Sequence, residues 1–252
     1  MRRFTTFAAV LLTGTLLAGT PVFAQKQMKP KSKKEGDAIQ AMLSAQDPDS
    51  RIKAADELIT KFADTEFKPY ALYLEADSYL QKGDNDKAIF FAEQTLEADP
   101  KNYQAAILLA KTYAGTTHVN DLDKEEKLTK AAKYAIQAQD ALKTAEKPNA
   151  SLTDAQWTEI KNDFTGQSYY ALGIVAAYHN KMDEVAADFQ KVAELDTDPT
   201  DLIRAGRALL DVKKYAEAVT WFDKALAAPN ANDQIKDIAT KDKARAQAMI
   251  KK

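Results

Sequence analysis

The chain has 252 residues, of which 45% are hydrophobic, so it is long enough to bury a sizeable core. Its 35 Lys and Arg against 37 Asp and Glu leave a net charge of -2. This balance argues against a generic nucleic-acid binder, because such proteins usually carry a basic excess. The absence of Cys excludes disulfides, zinc-thiolate sites and cysteine nucleophiles, and two His cannot form a histidine-rich metal cluster.

Residues 1–24 have the pattern of a secretory signal peptide. Arg2 and Arg3 precede an apolar run from Phe7 to Leu17, and the residues ending at Ala24 suit a signal peptidase. The alternative is a retained membrane anchor, but the run is well short of the roughly 20 residues that a spanning helix needs. We therefore predict cleavage after Ala24 and no stable membrane anchor afterwards. Export without Cys favours a bacterial envelope protein, in the periplasm or else secreted into the medium.

Residues 25–36 (QKQMKPKSKKEG) contain five Lys, one acid, a Pro and a Gly, and they show no apolar periodicity. Such a composition predicts a basic disordered linker. The functional alternative is a basic arm that touches anionic lipid or polysaccharide.

From residue 37 onward, apolar residues recur at three- and four-residue steps, as in residues 71–80 and 88–96. No window alternates for long with a period of two, and Pro residues fall between the apolar windows. The mature chain is therefore predicted to be all-α, a run of antiparallel helices joined by short turns.

Three segments of the chain align with one another in phase: residues 69–102, 166–198 and 199–231. Each would form one helix pair. The aligned positions are Ala76, Gly173 and Gly206 in the first helices, and Ala88, Val185 and Ala218, then Ala92, Phe189 and Phe222, in the second helices. Small residues at such positions let neighbouring helix backbones approach closely.

This pattern resembles the tetratricopeptide repeat (TPR) family. The resemblance includes a polar turn between the paired helices, the second-helix segment YAEAVTWFDKAL at 215–226 and the Asp99-Pro100 pair that closes the first copy. It implies a right-handed TPR superhelix of stacked antiparallel helix pairs, whose concave inner wall is formed mainly by the first helices. Together with the signal pattern, it suggests an exported bacterial type of TPR protein.

The rest of the chain is predicted to extend the same stack. Residues 37–68 look like a degenerate N-terminal helical repeat, and residues 232–252 like a C-terminal capping helix whose Ile235, Ile238 and Met249 face inward. Residues 103–165 look like a TPR with an insertion, within 116–165, of about 29 residues. The insertion should lengthen two neighbouring helices into an extended helical hairpin that projects from the stack.

The resemblance implies that side chains of the first helices line a peptide-binding groove. The implied groove residues are Tyr70, Tyr73, Asp77, Gln104, Lys111, Gln167, Tyr170, Tyr178 and Arg207. Tyr provides a large contact area with a hydrogen-bonding end, which suits recognition of an extended peptide or a helix. The alternative is that about half of these Tyr pack between helices. The family's Lys/Asn/Arg clamp for chaperone C-termini is not expected, because this wall starts with Tyr73 and Asp77.

No motif of an enzyme, cofactor site or metal site appears in the sequence. It contains no Gly-rich phosphate loop, GxSxG elbow, SxxK or HExxH. His118 and His179 each lie near acidic residues in the sequence. Such neighbours are common in polar loops and do not by themselves indicate a catalytic site. We therefore expect no enzyme, no catalytic residue, no cofactor and no metal.

Three functions remain open from the sequence. The first is an exported scaffold or adaptor that binds a protein or peptide in the bacterial cell envelope. The second is a small-ligand or glycan-binding envelope protein that uses the groove and the inserted hairpin, about 143–165, with Trp157 stacking on a sugar. The third is a structural role through self-association. A nucleic-acid partner is not expected.

Overall fold

The computed structural model describes residues 28–148, 151–195, 199–211 and 213–250, and every regular element in these ranges is a helix. The all-α prediction is confirmed. The predicted signal peptide and residues 25–27 lie outside the described residues. In chain order, the helices are α1 (Lys33–Ser44), α2 (Pro48–Lys61), α3 (Lys68–Gln81), α4 (Asn85–Ala98), α5 (Tyr103–Thr116), α6 (Lys124–Thr144), α7 (Asp154–Tyr178), α8 (Met182–Leu195), α9 (Pro199–Asp211), α10 (Tyr215–Ala227) and α11 (Asp233–Ile250). Within the described ranges, none of these helices is long and apolar enough to cross a bilayer.

The chain divides into two compact units. The first unit comprises the chain up to Ala98, with helices α1 to α4, together with Glu146–Thr153. The second comprises Asp99–Ala145 and the chain from Asp154 onward, with helices α5 to α11. Neighbouring helices pack in sequence order within each unit, as expected of stacked helix pairs.

Helix α1 begins at Lys33, inside the segment that we predicted to be a disordered linker. The reason is a helix-capping arrangement that the composition of this segment does not predict. The Ser32 hydroxyl accepts a hydrogen bond from the Glu35 backbone N–H at 3.1 Å, and the Glu35 carboxylate accepts one from the Lys31 N–H at 2.5 Å. Side chains thereby satisfy backbone donors at the helix start. The spacer prediction is therefore wrong for residues 33–36.

The first unit buries a cluster of apolar side chains contributed by α1, α2 and α3. Met42, Ala55, Leu58 and Ala71 in this cluster are fully buried. Helix α2 starts at Pro48, which occupies its first turn, and Asp47 accepts a hydrogen bond from the Ser50 N–H at 2.9 Å. The degenerate N-terminal segment is thus a true helix pair.

Glycine lets a buried phenylalanine ring approach the backbone in two helix pairs of the second unit. A Cβ placed on Gly173 would lie 2.9 Å from the Phe189 ring, and one on Gly206 would lie 2.5 Å from the Phe222 ring. The equivalent pair in the first unit is Ala76 and Ala92, both fully buried. In these three aligned pairs, Gly is found opposite a Phe ring and Ala is found opposite Ala. The aligned positions vary together so that their combined volume still fits.

The insertion lengthens the two helices in which it was predicted. Helix α6 has 21 residues and helix α7 has 25, whereas α5 and α8 have 14 each. Helix α7 is continuous through Gly166, which is buried. At the other end of the chain, Asn232 caps α11 through the Ile235 N–H at 2.9 Å. Met249, which we expected to face inward, is 36% exposed, so this part of the prediction is wrong.

Candidate functional site

A row of polar and aromatic side chains runs across α5, α7 and α9 in the second unit. Its members are spaced by three or four residues on α7 and α9 and by seven residues on α5, which places them on one side of each helix. We call this row the polar face; it consists of Gln104, Lys111, Asp163, Gln167, Tyr170, Asp201, Arg204 and Arg207. Five of the nine predicted groove residues belong to it: Gln104, Lys111, Gln167, Tyr170 and Arg207.

Lys111 connects α5 to α7 within the polar face. Its Nζ donates a hydrogen bond to Gln167 Oε1 at 2.9 Å, and Gln167 Nε2 donates one to Asp163 Oδ2 at 3.0 Å. Burial lowers the pKa of Lys111 to about 8, against the opposing effect of the Asp163 and Asp201 carboxylates. A lysine whose pKa is lowered on folding reduces stability at neutral pH, and this loss fades only as the pH rises above about 8.

Arg204 and Tyr170 form a second element of the polar face. The Arg204 guanidinium lies over the Tyr170 ring, 4.9 Å from its centroid, and Tyr170 meets the Phe189 ring edge-on at 5.7 Å. The Arg204 side chain is 43% exposed, whereas that of its ion-pair partner Asp201 is only 19% exposed. The cation therefore points further into solvent than the carboxylate that neutralises it.

Arg207 repeats this arrangement one helical turn later. Its Nε donates to Asp242 Oδ2 of α11 at 2.6 Å, and the side chains are 54% and 16% exposed respectively. Arg207 thus also braces the last helix. Tyr178, at the end of α7, donates a hydrogen bond to the Thr117 carbonyl, so its hydroxyl is used to fix the loop after α5. The Tyr178 hydroxyl therefore makes an intramolecular contact, as expected if some of the predicted groove tyrosines pack between helices instead of binding a partner.

Sequence reasoning missed Arg204, Asp163 and Asp201. Arg204 lies three residues before the predicted groove residue Arg207, and Asp163 lies four residues before Gln167. The helical period alone could have placed both on the same side as their neighbours. That Arg204 lies over Tyr170 depends on how α7 and α9 pack against their neighbours.

Residues 69–102, helices α3 and α4 with their flanking turns, match the family model of the tetratricopeptide repeat. These are the bounds that the sequence comparison predicted for the first copy.

Solved structures with a similar fold share low sequence identity with this chain. A thermophilic TPR protein of Thermus thermophilus is 14% identical, with a TM-score of 0.54 over 82% of this chain and 98% of its own. A double mutant of MamA from Desulfovibrio magneticus RS-1 is 17% identical, with a TM-score of 0.50 over 82% of this chain and 99% of its own. Among curated proteins, none matches the sequence significantly. The chain therefore has the helical-repeat fold of TPR proteins.

The remaining predicted groove residues, Tyr70, Tyr73 and Asp77, lie on α3, the first helix of the segment that matches the family model. Tyr70 and Tyr73 are half-buried and pack against the apolar cluster of the first unit. Asp77 accepts a hydrogen bond from Gln81 Nε2 at 2.6 Å and lies 3.8 Å from the Arg51 guanidinium. Burial raises the pKa of both Tyr70 and Asp77. Because these three side chains are only partly exposed, they are suited to packing within the first unit as much as to binding a partner.

Trp157 does not form an open wall at the lengthened end of the hairpin made by α6 and α7. Its side chain is only 6% exposed, and its ring lies 6.4 Å from that of Tyr103. Phe164 contacts the same Tyr103 ring edge-on at 5.1 Å. The extension of α7 is therefore packed against the start of α5, and the ring face on which a sugar was expected to stack is covered.

The two histidines lie in simple pairs. His179 Nε2 is 3.0 Å from Glu125 Oε2, and His118 Nδ1 is 3.7 Å from Asp121 Oδ2. Among the described residues, no three His, Asp or Glu side chains are grouped as metal ligands would be. These contacts are those of polar side-chain pairs on the surface.

Proposed function

We propose that this protein is an exported scaffold of the bacterial cell envelope that binds a protein or peptide segment on the polar face of its second unit. The fold of TPR proteins supports a binding role, because stacked helix pairs present a row of side chains from successive first helices. The arrangement of Lys111, Gln167, Tyr170 and Arg204 is the observation that carries the proposal.

The cost of this arrangement favours a binding role over a packing role. Lys111 is held in surroundings that lower its pKa to about 8, and a hydrophobic side chain there would avoid that loss of stability. Chains retain such charges at functional sites more readily than in ordinary cores. We infer that Lys111 positions Gln167 and Asp163 for contact with a partner.

The exposure of the charged pairs indicates the chemistry of the partner. In both the Arg204–Asp201 and the Arg207–Asp242 pairs, the guanidinium is more exposed than the carboxylate. Exposed guanidinium groups bind carboxylates through paired hydrogen bonds, and an Arg lying over an aromatic ring is already held in place. We therefore propose a partner segment that carries acidic side chains or a carboxylate.

Capture of partners from an envelope extract tests this function. We expect Arg204→Ala to lower the yield of crosslinked partner about fivefold, the effect of losing roughly 1 kcal/mol at an interface residue. Arg204 is the better choice than Arg207, because Arg207 also holds α11 through Asp242.

Lys224→Ala is the matched control for this experiment. Lys224 lies over the Trp221 ring at 3.6 Å on α10, so this substitution also removes an exposed cation from an aromatic ring, but outside the polar face. Equal capture by wild type and Arg204→Ala, with unchanged unfolding curves, would refute the proposed surface. Recovery of this chain itself as the crosslinked partner would point to self-association instead.

Export is tested by the position of the mature N-terminus. The signal pattern of residues 1–24 leads us to expect release of the protein by osmotic shock and a mature chain that begins at Gln25. N-terminal sequencing of the protein from its native host measures this directly. A chain that retains residues 1–24 in the cytosolic fraction would contradict the envelope role without affecting the binding experiment.

A further inference from the structure

A groove of about 530 Å³ lies between α6 and α8 in the second unit, with α7 as its floor. Leu128 and Ala132 of α6, Leu172 and Val175 of α7, and Ala187 of α8 give it a mainly apolar lining. This groove is separate from the polar face. On α7 it uses Leu172 and Val175, whereas the polar face uses Asp163, Gln167 and Tyr170 on the other side of that helix.

Asp188 is an acidic residue in the wall of this groove whose burial is not balanced by a partner among the described residues. Its side chain is half-buried at the groove wall, and burial, together with the nearby Glu184 carboxylate, raises its pKa to about 6. Among the described residues it has no hydrogen-bond or ion-pair partner. A carboxylate removed from water without a cation is unfavourable, and an incoming cation would remove that cost.

The other ionisable groups that line the groove are already paired. Glu184 is 3.1 Å from Lys181 Nζ, and His179 is 3.0 Å from Glu125. Helix α6 contributes no ionisable side chain to the lining. The groove therefore presents apolar walls and one carboxylate that lacks a counter-ion.

We propose that this groove binds a partner segment that places a Lys side chain against Asp188 and lays flanking aliphatic side chains on Leu128, Ala132 and Leu172. The carboxylate attracts a cation, and the apolar lining favours the methylene groups of Lys and its aliphatic neighbours. A volume of about 530 Å³ is sufficient for a few side chains and falls within the range of small binding sites. The groove thus gives the protein a second recognition surface with the opposite charge preference to the polar face.

A short capped peptide with one Lys between two Leu residues tests this proposal by NMR titration. We expect the backbone amide signals of Ala132, Leu172 and Ala187 to shift and to saturate. Asp188→Asn should weaken binding at least fivefold. Asp183→Asn, which removes an exposed carboxylate from the same helix, should change binding less than twofold.

Two matched peptides separate the charge from the apolar contacts. Replacing the peptide Lys with norleucine should weaken binding to wild type but should have little effect on the Asp188→Asn variant. Replacing it with Glu should abolish binding. Affinity for the Lys peptide should fall as the pH drops below about 6 in wild type, because Asp188 becomes protonated, and should fall less in Asp188→Asn.

Three results would overturn the proposal. They are the absence of saturation at millimolar peptide, shifts confined to residues outside the groove, and equal binding by wild type and Asp188→Asn. A concentration-dependent dimer in sedimentation that blocks the Lys peptide would assign the groove to a second copy of this chain, and would also reject a separate partner segment. None of these four outcomes bears on capture by the polar face, which Arg204→Ala tests independently.

Discussion

Gly206→Ala should destabilise the protein by about 1–2 kcal/mol, although alanine is the better helix former. The added methyl group would lie 2.5 Å from the Phe222 ring, which is completely buried and cannot move aside. Overpacking costs about 1–3 kcal/mol, and at this short contact we expect about 2–3 kcal/mol, of which the gain in helix propensity offsets roughly 1 kcal/mol. Urea denaturation followed by circular dichroism measures the difference.

The sign of this effect should reverse when the ring is removed. Phe222→Ala alone should cost about 3–5 kcal/mol because it leaves a cavity. In that background Gly206→Ala should stabilise the protein by roughly 1 kcal/mol, since the methyl group then fills space and improves the helix. This double variant recreates the Ala76 and Ala92 combination of the first unit.

Gly115→Ala is the matched control for the glycine substitution. Gly115 lies in α5, and a Cβ built on it meets no atom within 4 Å. This substitution should raise stability by up to about 1 kcal/mol. If Gly206→Ala stabilised the protein to the same extent as Gly115→Ala, the close approach of Phe222 would not be the reason for the glycine.

Glu75→Leu should stabilise the protein by about 3 kcal/mol at pH 7 and by much less at pH 4.5. Glu75 is only 1% exposed, and neither carboxylate oxygen has a hydrogen-bond partner among the described residues. Burial, with a smaller contribution from Asp56, raises its pKa to about 8 from an ordinary value near 4.5. The carboxyl group is thus protonated in the folded protein at pH 7, whereas it is ionised in the unfolded chain.

The sign follows from proton linkage. Between about pH 4.5 and pH 8 the folded state binds the proton more tightly, so the free energy of unfolding falls as the pH rises, by about 1.4 kcal/mol per pH unit for this group. Leucine removes this dependence. It is also the residue found at the aligned positions Leu109 and Leu172 of two other helix pairs.

Two further variants make the measurement specific to Glu75. Glu75→Gln keeps the shape but cannot ionise, so it should reproduce the loss of pH dependence with a smaller gain in stability. Glu97→Gln removes an exposed carboxyl from α4 and should retain the pH dependence of wild type. Parallel unfolding curves for wild type and Glu75→Leu from pH 4.5 to 8 would show that Glu75 is not held in a buried, protonated state.

Much of the fold could be predicted from the sequence, because its determinants are local. The bounds of the first repeat, 69–102, followed from the helical period and from the register of the aligned copies, and the family model matches the same residues. The starts of α2 and α11 also have local determinants, because the side chains of Asp47 and Asn232 accept hydrogen bonds from backbone N–H groups three residues away. The start of α1 is not predicted because Ser32 and Glu35 lie in a Lys-rich segment whose composition indicates a disordered linker.

The candidate site was predictable only in part. The helical period assigns Gln167 and Tyr170 to one side of α7, but it cannot say which side chains of α5 and α9 lie opposite them. Lys111 and Gln167 are 56 residues apart in the chain, so the hydrogen bond between them exists only because two helices pack together. The same stacking buries Trp157 and leaves Asp188 without a cation partner among the residues that the structure describes.

The sequence by itself determined the helical class, the repeat register and the aligned small residues, because each depends on side chains a few positions apart. Only the tertiary structure decided which polar groups are buried and with which partners, as for Glu75, Lys111 and Asp188. Burial and pairing are sums over neighbours that are distant in the chain. No local pattern contains those neighbours until the helices are packed against one another.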